Sequence, residues 1–398
     1  MYSTCVNNFL YTFLCQKKRS IRCPKCSSIK TKRRGKRFVA LTKKWVVRIT
    51  CHTCSFTGPA RIMVAGRIQN DISRQIVRES LERASIRILA RRYNKTTKTI
   101  MIIIHRLTVC LPLSTGIAKK FQPLWSGILV FDGKVVRVYD QLFKKMDQSK
   151  FTDDEKKWKH KMCWLCGVDF GTGDLPHYDL GESENMIDLV IYFQTLKSIK
   201  YPLVALVCDG NPLIPKAAKF VFGKQLIVQR CTRHFLEDLR RLLPKEETQK
   251  EERIKLEQLI LYIKFVIEAD SLESAQNNLE ILKKYSITFK SPAKNIMLSM
   301  FKRAKIELTA HLLNPELKLP HTSNDIENLF KQLMLRLKSL GRFYQQDYAR
   351  NYLNGWALLR RFTPFTDCRN GRKYRNKKCP IELAGCEIKN IDPLKLER

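Results

Sequence analysis

Pro202-Leu203-Val204-Ala205-Leu206-Val207-Cys208-Asp209-Gly210 constrains this chain more than any other stretch. A near-continuous apolar run of strand length, closed by one acid and a glycine, reads as a strand buried on both faces that delivers a carboxylate at its C-terminal edge. Gly127 to Val138 has a related character: mostly apolar, with Asp132 inside it. A lone acid in such a strand is costly unless it is paired or bound to a metal. Met162–Asp169 and Leu175–Leu180 predict two further strands, and Ser183–Ser198 an amphipathic helix. Asn211-Pro212 opens another helix, and Gln225–Cys231 reads as a fifth strand. Lys144 to Lys161 is a polar insert between the first two strands. Three strands, a helix, a strand, a helix and a strand predict an α/β domain over 124–234.

A third acid stands out downstream. Glu327 lies one turn into a predicted helix that opens after Thr322-Ser323-Asn324 and continues with Lys331, Arg336, Lys338 and Arg342. Between Asp209 and Glu327, residues 235–318 carry helical spacing, as in Leu256, Leu259, Ile260, Ile263 and Val266, and predict an all-helical insertion. Residues 319–362 then return to the α/β domain, and 363–398 form a basic tail. Asp132, Asp209 and Glu327 are the candidate catalytic set. Three carboxylates can hold two Mg²⁺ or Mn²⁺ ions, which favour hard oxygen ligands.

Ahead of this domain lie two smaller patterns. Cys23-Pro24-Lys25-Cys26 and Cys51-His52-Thr53-Cys54 are paired knuckles flanking strand-like Phe38–Leu41 and Trp45–Ile49, with turns at Gly35 and Thr42–Lys44. This predicts a zinc ribbon over 21–62, after an extension over 1–20, with one structural zinc on Cys23, Cys26, Cys51 and Cys54. Free or redox thiols are the alternative. The loop Lys30–Arg37, with Arg33 and Arg34, is dense enough in charge to meet phosphates. Over 68–111, a helix ending near Tyr93, a left-handed Asn94 and a capping Thr96 or Thr97 predict a helix-turn-helix. An ordinary helical hairpin is the alternative. Thr97, Lys98 and Thr99 are then the candidates for base edges, and Arg91, Arg92 and Lys95 for phosphates. Lys331 and Arg336 are further candidate DNA contacts. Pro112 to Pro123 reads as a linker.

The ordering of strands and acids is that of a ribonuclease-H-like (retroviral-integrase-like) domain with an all-α insertion. Phe131-Asp132-Gly133, Cys208-Asp209-Gly210, Cys231-Thr232-Arg233-His234 and Thr322-Ser323-Asn324-Asp325-Ile326-Glu327-Asn328 together resemble a DDE transposase of the mutator-like and prokaryotic insertion-sequence type. The resemblance covers roughly 125–365, and Pro380–Gly385 is similar to a common tail of such enzymes. It implies a two-metal enzyme that cuts a strand at its element's end and joins the freed 3′-hydroxyl to target DNA, working as a homodimer or higher oligomer on double-stranded DNA. It marks Cys231 and His234 as a family signature. Those two residues are too few for a structural zinc site, and a thiol–imidazole packing contact is the plainer reading. Two other classes fit the same residues. One is a catalytically silent or domesticated transposase acting as a sequence-specific DNA-binding protein, against which the intact triad speaks. The other is a ribonuclease-H-fold nuclease or Holliday-junction resolvase, against which the ribbon and helix-turn-helix speak.

Charge agrees with a polyanionic partner: 74 Lys and Arg against 37 Asp and Glu give +37. No apolar run approaches the roughly 20 residues of a membrane span. The apolar Asn8–Cys15 lacks a basic stretch before it, so secretion is not expected. A cytoplasmic or nucleoid location in a prokaryote, or a nuclear one in a eukaryote, follows. Fourteen cysteines then suit reduced thiols and metal ligands. Cys163 and Cys166 share a strand and read as core. Asp169 and Asp174 are alternative acids near the site, with hairpin-turn residues the plainer reading; Asp153-Asp154-Glu155 reads as a solvated turn, and Arg369–Lys378 as a flexible phosphate-binding strip. Cys368, Cys379 and Cys386 are too irregular in spacing for a second zinc site.

Overall fold

The computed structural model describes residues 23, 28, 30–39, 44–59, 71–138, 161–244, 249–340, 343 and 345–397. They divide into two compact units, Met1–Arg74 and Gln75–Arg398. The expected acidic turn at 153–155, most of the polar insert and Cys26 lie outside the described residues.

In the first unit, β1 (Thr31–Val39) pairs antiparallel with β2 (Lys44–Cys51), and β2 with β3 (Thr57–Pro59). The basic segment expected as a loop is therefore strand. Gly35 is not a turn between strands but a bulge within β1. The register slips between Arg33 and Lys36, and Gly35 takes φ 83°, a left-handed value that glycine adopts without a Cβ clash. Arg33 and Arg34 are exposed on this edge strand, where charge discourages pairing with other chains.

The second unit is built on a five-stranded sheet in the order β6-β5-β4-β7-β8. Its members are β4 (Ile128–Arg137), β5 (Lys161–Asp169), β6 (Tyr178–Gly181), β7 (Ala205–Cys208) and β8 (Ile227–Arg230). β4-β5 and β5-β6 pair antiparallel, β4-β7 and β7-β8 parallel. Helix α5 (Met186–Ser198) is capped by Asn185, whose side chain accepts from the Asp188 N–H. It packs with α6 (Leu213–Phe222) on one face, around Leu129, Phe131, Leu189, Phe193, Leu206 and Ala217. The other face is met by α12 (Asn324–Leu340) and α13 (Gln346–Arg361). There Trp164 stacks with Phe330 at 5.9 Å and Trp356 at 5.8 Å between centroids.

The helix pair upstream belongs to this same unit. Helices α1 (Asp71–Glu82), α2 (Ile86–Arg92) and α3 (Thr97–Cys110) precede the sheet, and α3 docks on α13. Gly355 of α13 permits the approach: a Cβ there would sit 3.2 Å from Thr108 and 3.3 Å from Leu111. The Tyr352 hydroxyl donates to the Ser80 carbonyl at 2.9 Å, and Asn354 Nδ2 to that of Pro112 at 3.2 Å. The expected linker after α3 is instead α4 (Ser114–Phe121), with Ile117 and Ala118 buried. Its first residue, Ser114, is 2.8 Å from Nδ1 of His177.

Two acids expected in turns are buried anchors. Asp174 is fully buried; it accepts from Nε and Nη2 of Arg361 at 2.8 and 2.7 Å and from Nε1 of Trp125 at 2.9 Å. Asp169 accepts from Tyr201 and from the backbone and hydroxyl groups of both Ser126 and Thr172. Both carboxylates are thus solvated by the protein, which is what makes their burial tolerable.

The insertion is all-helical among its described residues: α7 (Thr232–Arg240), α8 (Lys250–Ile267), α9 (Leu272–Ser286), α10 (Pro292–Leu308) and α11 (Ala310–Leu313). Its own core includes Leu239, Leu256, Leu259, Ile263, Phe301 and Leu308. It is pinned where it leaves the sheet, because Thr232 donates from its N–H (2.9 Å) and hydroxyl (3.2 Å) to the His321 carbonyl. The basic segment after α13 does not form a free strip. Asn370–Arg375 is a 3-10 turn in which Arg375 is buried and bonds to the Gly171 carbonyl at 3.1 Å, and Arg372 pairs with Asp325. The short helix α14 (Pro380–Leu383) follows. Among the described residues no single helix is long and apolar enough to cross a membrane.

Candidate functional site

The site grows from the parallel half of the sheet. Val130 of β4 pairs with Val207 of β7, and continuing that register by two residues sets Asp132 beside Asp209. Strand alternation puts Asp132 on the face opposite Leu129 and Phe131. Lys134 shares that face, and its ammonium lies 5.9 Å from the Phe330 ring of α12, one turn beyond Glu327. Asp209 follows the last residue of β7, and Cys231 follows the last of β8, so both leave the same edge of the sheet.

The electrostatics around Asp132 are those of crowded acids. Burial first, then the negative charges of Asp209 and Glu184, raise its carboxyl from 3.8 to about 7. The Gly133 N–H, donating to Oδ1 at 2.7 Å, and the nearby His234 pull the other way without prevailing. Glu184 is the acid that sequence reasoning misses. It precedes the cap of α5 by one residue, where an acid looks like ordinary helix-start decoration. In the fold Asn211 Nδ2 holds its Oε2 at 2.9 Å, and its Oε1 lies against Gly133, where an added Cβ would come within 1.9 Å. Gly133 therefore leaves the space that lets Glu184 reach Asp132's neighbourhood.

Glu327 is held on a different side of this centre. Its Oε1 accepts from the Ser323 hydroxyl at 2.9 Å and lies 4.0 Å from His234 Nε2, while its Oε2 pairs with Arg233. The Ser323 hydroxyl donates to Glu327, and the Cys231 sulfur lies 3.3 Å from it. Cys231, His234 and Glu327 have ligand atoms all within 4.8 Å of one another. Asp132, Asp209 and Glu327 are not drawn into such a group among the described residues. Burial would push the Cys231 thiol up, but hydrogen bonding to His234 and Ser323 brings it down to about 7. The same Cys231 contact, against burial, raises His234. The pair is thus a thiol–imidazole contact at the insertion's root, with Glu327 beside it.

The cysteines of the first unit also converge. Cys23, Cys51 and Cys54 have sulfurs within 4.8 Å of one another, Cys23 and Cys54 at 3.6 Å. Cys23 N–H bonds to Ser28 O and Cys51 N–H to Phe56 O, both at 2.8 Å. Such closed turns hold thiols together, and the three thiols are compatible with a structural zinc site, supplying three of its four ligands. By contrast Cys163, Cys166 and Cys379 are buried in separate places, and the Cys386 thiol bonds to the Phe121 carbonyl.

The turn between α2 and α3 follows the sequence closely. Asn94 takes φ 48°, and Thr96 caps α3 through the Thr99 N–H at 3.1 Å. Thr97, Lys98 and Thr99 are exposed at the start of α3, as are Arg91 and Lys95 before it. Arg92 is exposed but ion-paired with Glu79. Lys331 is exposed on α12. Arg336 is not a surface contact: at 1% exposure it bonds through Nε to Tyr352 OH at 2.8 Å and through Nη2 to the Ala84 carbonyl at 3.0 Å. The spacing Ile326, Leu329, Phe330, Leu333 already put position 336 on the buried stripe. A cavity of about 1340 Å³ opens between this helix and the turn after α1, and Arg83, Arg92, Lys331, Arg360, Arg369 and Arg372 are among its lining residues.

No known protein-family model matches the chain, and a comparison with curated proteins finds no match.

Proposed function

We propose that the chain is a DDE-type DNA transposase with a ribonuclease-H-like catalytic domain. The observation that carries the reading is the crowding of Asp132, Asp209 and Glu184 at one sheet edge, where burial first and then the two acidic neighbours raise the Asp132 carboxyl to about 7. Proteins accept such repulsion at sites that do chemistry. The sheet order, with three antiparallel strands followed by two parallel ones, supports the fold assignment.

The donor set fits divalent cations of the Mg²⁺ class: the groups are carboxylates, their mutual repulsion is what a cation relieves, and Gly133 keeps room for a further acid. Asp132 and Asp209 would hold such ions, with Glu327 as the third ligand. The chemistry they supply is activation of an attacking oxygen and stabilisation of a leaving oxygen at a phosphodiester. The remaining residues handle DNA. Arg233 brings positive charge to the Glu327 side of the site. The arginine-lined cavity and the exposed start of α3 offer a track for phosphates and bases. Zinc on the thiols of the first unit would fold it.

One observation favours the catalytically silent reading: Glu327 is tied to Arg233 and Ser323 rather than turned to the aspartates. Incubation with candidate element-end DNA and Mg²⁺, with the cuts mapped by sequencing, separates the two. Cleavage at a defined end that is lost in Asp132→Asn, Asp209→Asn and Glu327→Gln, with end binding kept, supports the enzyme. Sequence-specific binding without cleavage supports the silent form, and cleavage at the wild-type rate by any of the three variants sinks the triad.

A further inference from the structure

We propose that Cys231, His234 and Glu327 form a separate site for a thiophilic divalent ion of the zinc class, and that an ion held there inhibits the carboxylate centre by retaining Glu327. The inhibitory half rests on the transposase reading; the binding half stands on the cluster alone.

Three segments meet at this point. Cys231 closes β8 and precedes α7, His234 lies in the first turn of α7, and Glu327 lies one turn into α12. The Thr232–His321 hydrogen bonds clamp the two helix starts together. The donor atoms already lie within 4.8 Å of one another, so closing to the roughly 3.5 Å between donors on a tetrahedral zinc takes side-chain adjustments of about 1 Å. Nδ1 of His234 is buried without a hydrogen bond of normal geometry. The Cys231 sulfur accepts the Ser323 N–H at 3.4 Å, which favours a thiolate and orients it, with the Ser323 hydroxyl 3.3 Å away. Arg233 occupies Oε2 of Glu327, and Oε1, which accepts from the Ser323 hydroxyl at 2.9 Å, lies on the side of Cys231 and His234.

Chemistry then separates this cluster from its neighbour. Sulfur and imidazole select zinc-class ions over Mg²⁺, whereas the all-oxygen set around Asp132 does the reverse. Glu327 is the one residue claimed by both. Three protein donors leave a fourth position open, so the site would exchange its ion more readily than a closed four-thiol site.

The test uses the full chain with the first unit already loaded with zinc, titrated with Co²⁺. A further cobalt ion per chain with a thiolate-to-cobalt charge-transfer band in the near-ultraviolet is expected, and both should vanish in Cys231→Ala and in the more conservative Cys231→Ser. An absent band in the folded wild type, or a band unchanged in both variants, overturns the site whatever the enzyme does. In the Mg²⁺ cleavage assay, micromolar Zn²⁺ should inhibit the wild type, and Cys231→Ala should need at least tenfold more. Equal inhibition of both overturns the regulatory link. A wild type that binds cobalt but never cleaves counts against the transposase reading and leaves the metal site standing.

Discussion

Asp132→Asn removes a carboxylate that the fold holds against its own preference. Burial, and then Asp209 and Glu184, raise that carboxyl from 3.8 to about 7. The folded value lies above the unfolded one, so between these pH values the native state binds more protons than the unfolded chain. Stability therefore falls as pH rises through that window, and the full cost is present above pH 7. About three pH units correspond to roughly 4 kcal/mol. Asp132 retains some contact with solvent, and screening reduces this to about 2 kcal/mol. Asparagine can still accept the Gly133 N–H while carrying no charge. Urea unfolding followed by tryptophan fluorescence, in buffer free of Mg²⁺, should find Asp132→Asn more stable than wild type by about 2 kcal/mol at pH 8, the gap shrinking through pH 7 to 5 and closing only below about pH 4. Adding Mg²⁺ should narrow the gap at pH 8 by stabilising the wild type alone. A variant less stable at pH 8, or a gap that does not change with pH, would refute the electrostatic reasoning.

Asp174→Asn leaves the buried Arg361 guanidinium without its counter-charge and should cost about 3–5 kcal/mol in the same unfolding experiment; a loss under 1 kcal/mol contradicts the fully buried pair. Arg336→Ala should lower stability by about 2–3 kcal/mol yet leave the salt dependence of DNA binding unchanged. Lys98→Ala should do the opposite, weakening binding and reducing the salt slope by about 1, which a titration against NaCl reads directly. Cys54→Ser should release the zinc of the first unit, read by elemental analysis, and unchanged metal content would remove the ribbon assignment.

The strands were legible because a two-sided burial requirement writes itself into consecutive residues: Ala205–Cys208 is uniformly buried, as its apolar run demands. Local turn chemistry was equally readable, since Asn94 and Thr96 act within a few residues of their own positions. Long-range partners were not. Asp174 reads as a turn acid until Arg361, 187 positions away, is placed against it. Glu184 carries no local mark distinguishing it from a solvated acid before a helix. The segment 112–123 reads as a linker because its two prolines flank a short helix that only packing stabilises. Arg336 reads as a DNA contact by its charge, but its place in the apolar stripe of α12 buries it.

The clamp between Thr232 and His321 joins positions 89 apart. The chain leaves the sheet and comes back at one point, so the span between them behaves as a plug in a socket. Its length costs the sheet little, because closure entropy grows only with the logarithm of the loop and the clamp fixes both ends. Arg233 and His234 in the first turn of the outgoing helix and Glu327 in that of the returning one sit beside this clamp, whatever the helices beyond them do. The insertion is thus a place where new recognition surfaces can be grafted, enlarged or exchanged during evolution while the three residues at its mouth stay in register.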